Sequence, residues 1–272
     1  MTKPHDGLIL KPPHPQIAFD LFAGEWAYDI PIDETQTGAG DSFRYKHHSV
    51  WMAEEAFGSL TGMKCLELGP NEGEVAFHMH HAGCREIRSI EARVRSYLKC
   101  LIVKNFLRMD SVQFFLGDFV QYLEHTPEHY DFCMAAGVLY HMTNPLRLIE
   151  LMAKKADRVA IATHYFTAGM LKYDPKIDTT GLPTASWDIE NAEGEDLQHG
   201  GMTARVFKYS YRTYLDTHAT FGHGGPAPFA YLMQRDDIIR ALKHFGMKIV
   251  GEIFDDPGNP RGAHLHLIAQ RA

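Results

Sequence analysis

The sequence predicts an α/β fold with a seven-stranded, mostly parallel sheet, one reversed strand, and helices on both faces. Two observations lead to this prediction. Between residues 64 and 163, short apolar segments alternate with helical ones, a pattern typical of parallel strands covered on both sides. The chain then ends in two strand-like segments, "MKIVGEIFDD" and "AHLHLIAQRA", joined by a short Pro/Gly turn. Such a pair predicts an antiparallel hairpin, which reverses one strand of the sheet.

The individual elements follow from residue periodicity. The apolar residues of 93–107 recur at the 3.6-residue spacing of an amphipathic helix. Near 235–245, the segment "RDD" supplies carboxylates for the start of a helix. The first five strands are predicted at 64–68, 86–90, 112–116, 131–136 and 158–163, with helices between them at about 73–82, 93–107, 119–125 and 145–154.

Two regions lie outside this alternation. Residues 1–58 are predicted to form an N-terminal arm or cap, and their Pro-rich first 18 residues are expected to be loose. Residues 59–272 are predicted to form the main domain, interrupted by an insertion at about 165–231. A long segment without regular pattern inside a compact domain is usually functional, so we expect this insertion to cover a binding site.

Composition narrows the class of protein. The 272 residues carry a formal net charge of −7, so the sequence lacks the excess of basic residues that is typical of a nucleic-acid binder. No apolar run approaches the roughly 20 residues that a membrane span needs. The four cysteines have no C-x-x-C spacing, which favours reduced thiols in a cytoplasmic protein. We therefore expect a small-molecule substrate, no nucleic-acid or membrane partner and no metal site; a homodimer is compatible with this composition.

The stretch "KCLELGPNEGEV", residues 64–75, carries the most chemical information. It runs from a strand through a glycine-punctuated turn into a helix, an arrangement that commonly binds phosphate. The turn holds no lysine or arginine, and it carries three carboxylates instead, at Glu67, Glu72 and Glu74. A tight backbone loop with acidic side chains indicates a cationic ligand.

Acidic residues also end the next two predicted strands. Glu91 comes 18 residues after Gly73, and Asp118 follows the third strand. Because ligands of open α/β sheets bind at the carboxyl ends of the strands, these side chains are expected to converge with Glu67. Glu91 could bind a ribose diol, Asp118 an adenine amino group, and Glu67 an ammonium or sulfonium. S-adenosylmethionine has all of these groups. A nicotinamide dinucleotide is the alternative ligand, but the Gly-x-Gly-x-x-Gly loop that binds it has a glycine at the position of Asn71.

These residues resemble the class I S-adenosylmethionine-dependent methyltransferase family. "CLELGPNEG" is similar to its first motif, "GDF" at 117–119 to its adenine-site motif, and "YDFCMAAGVLYHMTNP" at 130–145 to its fourth-strand motif. The resemblance covers roughly 60–165 and 232–272, and departs from many members at Pro70-Asn71, which makes the loop stiffer. "GVLYHMTNPLRLIELM" is also similar to a segment of bacterial tRNA wobble-uridine carboxymethyltransferases.

The resemblance implies a Rossmann-like fold, methyltransferase activity and S-adenosyl-L-methionine as the cofactor. Glu91 matches the family's ribose-binding acid. The cofactor site that it implies comprises Glu67, Gly69, Pro70, Asn71, Gly73, Glu91, Ala92, Gly117, Asp118, Phe119, Ala136, Gly137 and Tyr140.

The acceptor pocket is expected over the ends of the fourth and fifth strands. His141 and His164 follow these strands, and a histidine suits proton removal from a hydroxyl or an amine. His141 could equally pack beside the cofactor, and Tyr140 could form a wall against its methionine tail. Contacts to the acceptor are expected from Trp26, Tyr165, Tyr209, Tyr211 and Arg212, although Trp26 could instead belong to the core.

Together these features predict methyl transfer from S-adenosylmethionine to an oxygen or nitrogen of a small molecule. Two alternatives stay open at this point. One is a tRNA-modifying (carboxy)methyltransferase, which the local similarity suggests but the dispersed basic residues disfavour. The other is a cofactor-binding subunit without turnover of its own.

Overall fold

The computed structural model describes residues 8–37, 41–43, 47–172, 188–210, 225, 227–259 and 262–272. The helices are α1 (Pro15–Asp20), α2 (His48–Phe57), α3 (Glu74–His81), α4 (Val94–Leu107), α5 (Phe119–His125), α6 (Pro145–Lys155) and α7 (Arg235–His244). The strands are β1 (Tyr28–Asp29), β2 (Asp41–Ser42), β3 (Lys64–Leu68), β4 (Glu86–Glu91), β5 (Val112–Leu116), β6 (Phe132–Ala136), β7 (Arg158–His164), β8 (Asp188–Ile189), β9 (Glu195–His199), β10 (Met202–Ser210), β11 (Phe229–Met233), β12 (Met247–Asp256) and β13 (His264–Arg271).

A seven-stranded sheet in the order β12-β13-β7-β6-β3-β4-β5 forms the centre of the protein. Its five strands from β3 to β7 pair in parallel. β13 runs antiparallel to both of its neighbours, β7 and β12, and is therefore the one reversed strand. The predicted fold class is confirmed, and the predicted strands and helices of the main domain end within about two residues of the observed ones.

Helices cover both faces of this sheet. Side chains from α5, α6 and α7 form one apolar core with the sheet, and those from α1 to α4 form the other. β13 shows how the sequence divides between the two cores, because Leu265 and Leu267 belong to the first and Ile268 to the second. Among the described helices, none is both long enough and apolar enough to cross a bilayer.

The described part of the insertion contains regular structure that the sequence pattern did not predict. β10 is the centre of a four-stranded sheet, and it pairs antiparallel with β8, β9 and β11. Within β10, Met202, Ala204 and Val206 alternate toward the core that holds α6 and α7. These strands were not predicted, although Met202, Ala204 and Val206 alternate with polar residues at the period of two that is typical of a strand.

Part of the N-terminal region forms helices, and the first of these has a helix cap of its own. α1 begins at Pro15, whose fixed φ suits the first helical position, and His14 Nδ1 accepts a hydrogen bond from the Gln16 backbone N–H. The expectation of a loose first 18 residues was therefore wrong for Pro15 onward. α2, further along, packs against β7, β12 and β13 of the main sheet.

A buried ion pair attaches this N-terminal region to the loop that follows β3. The Glu72 carboxylate accepts hydrogen bonds from the backbone N–H groups of Ala27, at 2.9 Å, and Tyr28, at 3.1 Å. It also pairs with Lys99 Nζ at 2.5 Å, and the two side chains belong to residues that are 0% and 6% exposed. Glu72 therefore holds the arm in place and does not face a ligand, which corrects its assignment as one of the loop's ligand-facing carboxylates.

We expect Lys99→Met to lower the free energy of unfolding by about 3 kcal/mol, because the Glu72 charge would stay buried without its cation. Lys154→Met is the matched control. Lys154 pairs with Glu150 at 2.8 Å on an exposed helix surface, so its loss should cost about 1 kcal/mol or less. Urea unfolding followed by circular dichroism measures both. Equal losses in the two variants would contradict a structural role for the buried pair.

Candidate active site

A cavity of about 560 Å³ lies at the carboxyl ends of β3, β4 and β6. In the order of the strands, β3 has β6 on one side and β4 on the other, so the chain changes direction across the sheet at this point. Ligands of open α/β sheets bind at such a switch point. The structure thus places a cavity where the sequence predicted the convergence of strand-end residues.

The turn after β3 needs unusual backbone angles. Gly69 has φ +68°, and a Cβ atom at this position would lie 2.5 Å from Val138 Cγ1. Asn71 has φ +54°, a conformation that asparagine tolerates better than most residues. This turn points the Asn71 N–H at Glu91 Oε2, 3.0 Å away. Gly73, at φ +89°, then begins α3 as its N-cap, so it supports the turn without lining the cavity.

Glu91 lines the cavity at the end of β4. Its Oε2 accepts from Asn71 N–H, and its Oε1 accepts from the Arg93 N–H at 2.9 Å. Burial raises the pKa of its carboxyl, and these backbone donors oppose the rise. Each carboxylate oxygen keeps a further lone pair, so the side chain can still accept two hydrogen bonds from a diol.

Glu67 is more deeply buried, at 2% exposure, and accepts a hydrogen bond of 2.5 Å from Ser89 Oγ. Burial raises the pKa of its carboxyl to about 8, although the Ser89 hydrogen bond works against this rise. The carboxyl is therefore mostly protonated at neutral pH. Glu74 also lines the cavity, and Arg93 is the one lysine or arginine among its described lining residues.

Asp118 does not lie where the adenine-site motif implied. Its Oδ1 caps α5 by accepting from the backbone N–H groups of Val120, at 2.7 Å, and Gln121, at 3.3 Å, and the residue is exposed. Asp118 and Gly117 are both outside the cavity lining, and the apolar ring of Phe119 lines it instead. The remaining residues of the implied cofactor site line the cavity as well: Gly69, Pro70, Asn71, Ala92, Ala136, Gly137 and Tyr140.

The opposite end of the cavity is lined by rings. Tyr140 and His141 lie on a single 3₁₀ turn after β6, with their ring centroids 4.1 Å apart. Tyr28 and His47 come from the N-terminal region. Tyr209 lies behind this turn and does not line the cavity; its hydroxyl donates to the Tyr140 carbonyl at 2.6 Å. Tyr209 thus supports the wall from outside.

His164 is not among the lining residues. Its Nδ1 donates to the Gly262 carbonyl at 3.0 Å, and its ring lies behind those of Tyr140 and His264, with centroids 4.9 and 4.8 Å away. The rings of Tyr140 and His264 therefore lie between His164 and the cavity, and His164 does not have the predicted position in the acceptor pocket. Tyr165, which follows it, is also outside the lining, because its buried hydroxyl donates to Asp255 Oδ1 at 2.7 Å.

Trp26 belongs to the core, not to the pocket. It is 3% exposed, packs against Phe19 and Phe22, and donates from Nε1 to the Phe19 carbonyl at 3.0 Å. The expectation that it contacts the acceptor was wrong, because the apolar packing of the arm takes up its ring. Tyr211 and Arg212 lie outside the described residues, so their expected contacts stay predictions.

Two cavity-lining histidines, His264 and His266, were missed in the sequence. They lie on β13, where "HLHL" alternates between the two faces of the sheet. Leu265 and Leu267 enter the core, so the two histidines must share the opposite face. This alternation was the available signal. It did not reveal that this face reaches the cavity, which depends on the pairing of β13 with β7.

Solved structures similar to this chain include S-adenosylmethionine-dependent methyltransferases. The N-terminal domain of EvdMO1, determined in the presence of SAH and D-fucose, is 16% identical with a TM-score of 0.64, and the match covers 94% of this chain and 95% of that one. Magnesium protoporphyrin IX methyltransferase from Synechocystis PCC 6803, determined with bound SAH, is also 16% identical, with a TM-score of 0.53 and coverage of 82% and 80%. At this level of identity, the likeness concerns the fold.

A sequence relative is the tRNA U34 carboxymethyltransferase of Campylobacter hominis, 30% identical over 94 residues. The match covers 35% of this chain and 32% of that enzyme, so it spans about a third of the relative's length. No family model matches the chain. The fold comparison confirms the architecture that the motifs implied: this chain has the fold of the class I S-adenosylmethionine-dependent methyltransferases.

Proposed function

We propose that this protein transfers the methyl group of S-adenosylmethionine to an oxygen or nitrogen atom of a small molecule. The observation that carries the proposal is the acidic cavity at the switch point, with Glu67, Glu74 and Glu91 in its lining. A phosphate-bearing dinucleotide would meet an acidic lining unfavourably, whereas a nucleoside with an ammonium and a sulfonium complements it and would ionise Glu67.

The residues present fit this cofactor. Glu91 has lone pairs for both ribose hydroxyls, and Phe119 offers an apolar face for the adenine ring. The glycine-shaped turn at Gly69 lets the chain approach closely, and Glu67 would face the cationic end. When bound, the cofactor supplies an activated methyl group, so the chain itself has to align the acceptor and exclude water.

Several features support a small acceptor. The cavity is lined by Tyr28 of the arm, by Tyr140 of the turn after β6 and by Gly225 of the insertion, so three separate segments contribute to its wall. We accordingly propose residues 1–58 as a cap and the insertion at about 165–231 as a cover for the acceptor. The four free cysteines support a reducing, cytoplasmic location.

A tRNA substrate is the second candidate, supported by the partial similarity to the Campylobacter hominis enzyme. Gel-shift titration with bulk tRNA at two salt concentrations separates the two candidates. For a small-molecule enzyme, we expect no complex at micromolar protein in 150 mM salt, since net charge −7 opposes binding to phosphates. A salt-sensitive complex of submicromolar affinity would favour the tRNA reading. Cofactor binding without formation of S-adenosylhomocysteine on a broad acceptor panel would favour the third candidate, a cofactor-binding subunit.

The cofactor proposal predicts that Glu91→Gln weakens S-adenosylmethionine binding by about tenfold to a hundredfold, because a charge-assisted hydrogen bond to the ribose is lost. Isothermal titration calorimetry measures the dissociation constant, with NAD and NADP as competing candidates. Glu86→Gln, at the other end of the same strand, is the matched control and should bind normally. Binding of NAD or NADP without S-adenosylmethionine would refute the proposal, and an unchanged constant in Glu91→Gln would show that the ribose lies elsewhere.

Cofactor binding should also release close to one proton at pH 7. The Glu67 carboxyl is mostly protonated there, since its pKa is raised to about 8, and a bound cation would lower that pKa and expel the proton. The enthalpy of binding, measured in buffers of different ionisation enthalpy, gives the number of protons. Glu67→Gln has no carboxyl to titrate and should release far less. Equal release by the variant and the wild type would assign the proton to another group.

A further inference from the structure

A continuous line of hydrogen bonds runs from α2 to the cavity wall. Ser49 Oγ lies 2.7 Å from His266 Nδ1, and His266 Nε2 lies 3.1 Å from His264 Nδ1. Ser49 is 1% exposed and His266 7%, while both histidines line the cavity. This line uses both nitrogens of His266 but only Nδ1 of His264. We therefore assign His264 Nε2 as the nitrogen that faces a ligand.

The sheet fixes this line in place. On β7, His164 pairs with His264, and Ala162 pairs with His266. The small side chain of Ala162 leaves space for the imidazole opposite, and Ser49 reaches the same face from α2. Two neighbouring chain segments thus constrain the rotation of His264 and His266, and the hydrogen bonds at both nitrogens of His266 tie its tautomer to that of His264.

We propose that His264 is the catalytic base of this site, that Ser49 and His266 are positioning residues which hold it with Nε2 unprotonated, and that the acceptor is a phenolic or enolic hydroxyl. The proposal deepens the proposed function and rests on it. In this arrangement His264 donates from Nδ1 to His266 Nε2, and His266 donates from Nδ1 to Ser49 Oγ.

The reaction balances with the groups named. The bond from sulfur to the methyl carbon breaks, and the sulfur keeps its electron pair. A bond from the acceptor oxygen to that carbon forms, and the hydroxyl proton moves to His264 Nε2. The positive charge of the sulfonium therefore reappears on the imidazole, which later returns the proton to water.

The environment of His264 sets its pKa, and this pKa indicates which class of hydroxyl it can deprotonate. Burial, the chief cause, lowers the pKa of His264 to about 4, and His164 and His48 lower it further, whereas Asp256 raises it. Burial likewise lowers the pKa of His266 to about 2, so both rings are neutral at pH 7. A weak base assists acidic hydroxyls, such as those of phenols and enols, more than the hydroxyls of alkanols.

The surrounding side chains agree with an aromatic or enolic acceptor. Tyr28, His47, Tyr140 and His141 add flat rings to the lining of the same cavity. The lysine or arginine that a carboxylate acceptor would pair with is absent from the described lining at this end, since Arg93 lies beside Glu91. A neutral, flat molecule with a dissociable hydroxyl therefore fits this end of the cavity.

Nitrogen-15 NMR of histidine in the full-length protein tests the tautomer directly. At pH 7, His264, assigned with the His264→Gln variant, should show a protonated Nδ1 and an unprotonated Nε2. Ser49→Ala should change this pattern to a mixture of tautomers. Ser111→Ala is the matched control, because Ser111 Oγ lies 2.7 Å from His80 Nδ1 in a comparable pair that does not line the cavity. It should leave the His264 signals unchanged. A protonated Nε2 in the wild type overturns the proposal.

Turnover gives the second readout, as S-adenosylhomocysteine formed from S-adenosylmethionine with a set of substituted phenols, cyclohexanol and benzoate. We expect activity with phenols alone, a loss of about a hundredfold or more in kcat for His264→Gln, and a smaller loss for Ser49→Ala. Calorimetry should give the same S-adenosylhomocysteine affinity for all variants. Full activity in His264→Gln, or turnover of cyclohexanol or benzoate in place of phenols, overturns the inference and leaves the proposed function intact. Failure of the wild type to bind the cofactor refutes the proposed function instead.

Discussion

The hydrogen bond from the Asn71 N–H to the Glu91 carboxylate joins the loops after β3 and β4 into one surface. It requires a left-handed backbone at Asn71 and a glycine at position 69, where any side chain would collide with Val138. The same turn orients Glu72 toward the arm and leads into α3. The shape of the cavity, the attachment of the arm and the position of Glu91 therefore all depend on this short segment.

Burying several carboxylates in one region is costly, and the chain compensates each of them differently. Glu72 is neutralised by Lys99 and two backbone donors. Glu91 is stabilised by two backbone N–H groups but keeps accepting capacity toward the cavity. Glu67 has one serine donor, and its raised pKa leaves it mostly protonated at neutral pH. A cationic ligand would ionise Glu67 at little cost, so the region is prepared for positive charge without being strained in its absence.

The features that depend on residues close together in the chain were predicted from the sequence. The strand and helix periods, and the positions of Glu67 and Glu91 at strand ends, followed from spacing along the chain. Asp118 follows a strand and also precedes a helix, so its place in the sequence suits a ligand contact as well as a helix cap. In the structure its Oδ1 caps the helix. The position of His264 was not predictable, because it reaches the cavity through β-pairing between residues that are far apart in the chain. Trp26 packs against its near neighbour Phe19, and its aromatic ring alone does not distinguish a core residue from a pocket residue. Pattern alone fixes neither arrangement.

The two ends of the cavity therefore come from different kinds of sequence. The cofactor end is formed by two loops of the parallel sheet, around Asn71 and Glu91, whose geometry is set by a few backbone requirements. The ring-lined end is assembled from the arm, the turn at Tyr140, the insertion and the terminal hairpin. Three of these segments lie outside the central sheet, whereas the terminal hairpin supplies its strands β12 and β13. Chains that share only 16% identity keep this fold, so the identity of the acceptor has to be argued from the side chains of the second end and not from the fold.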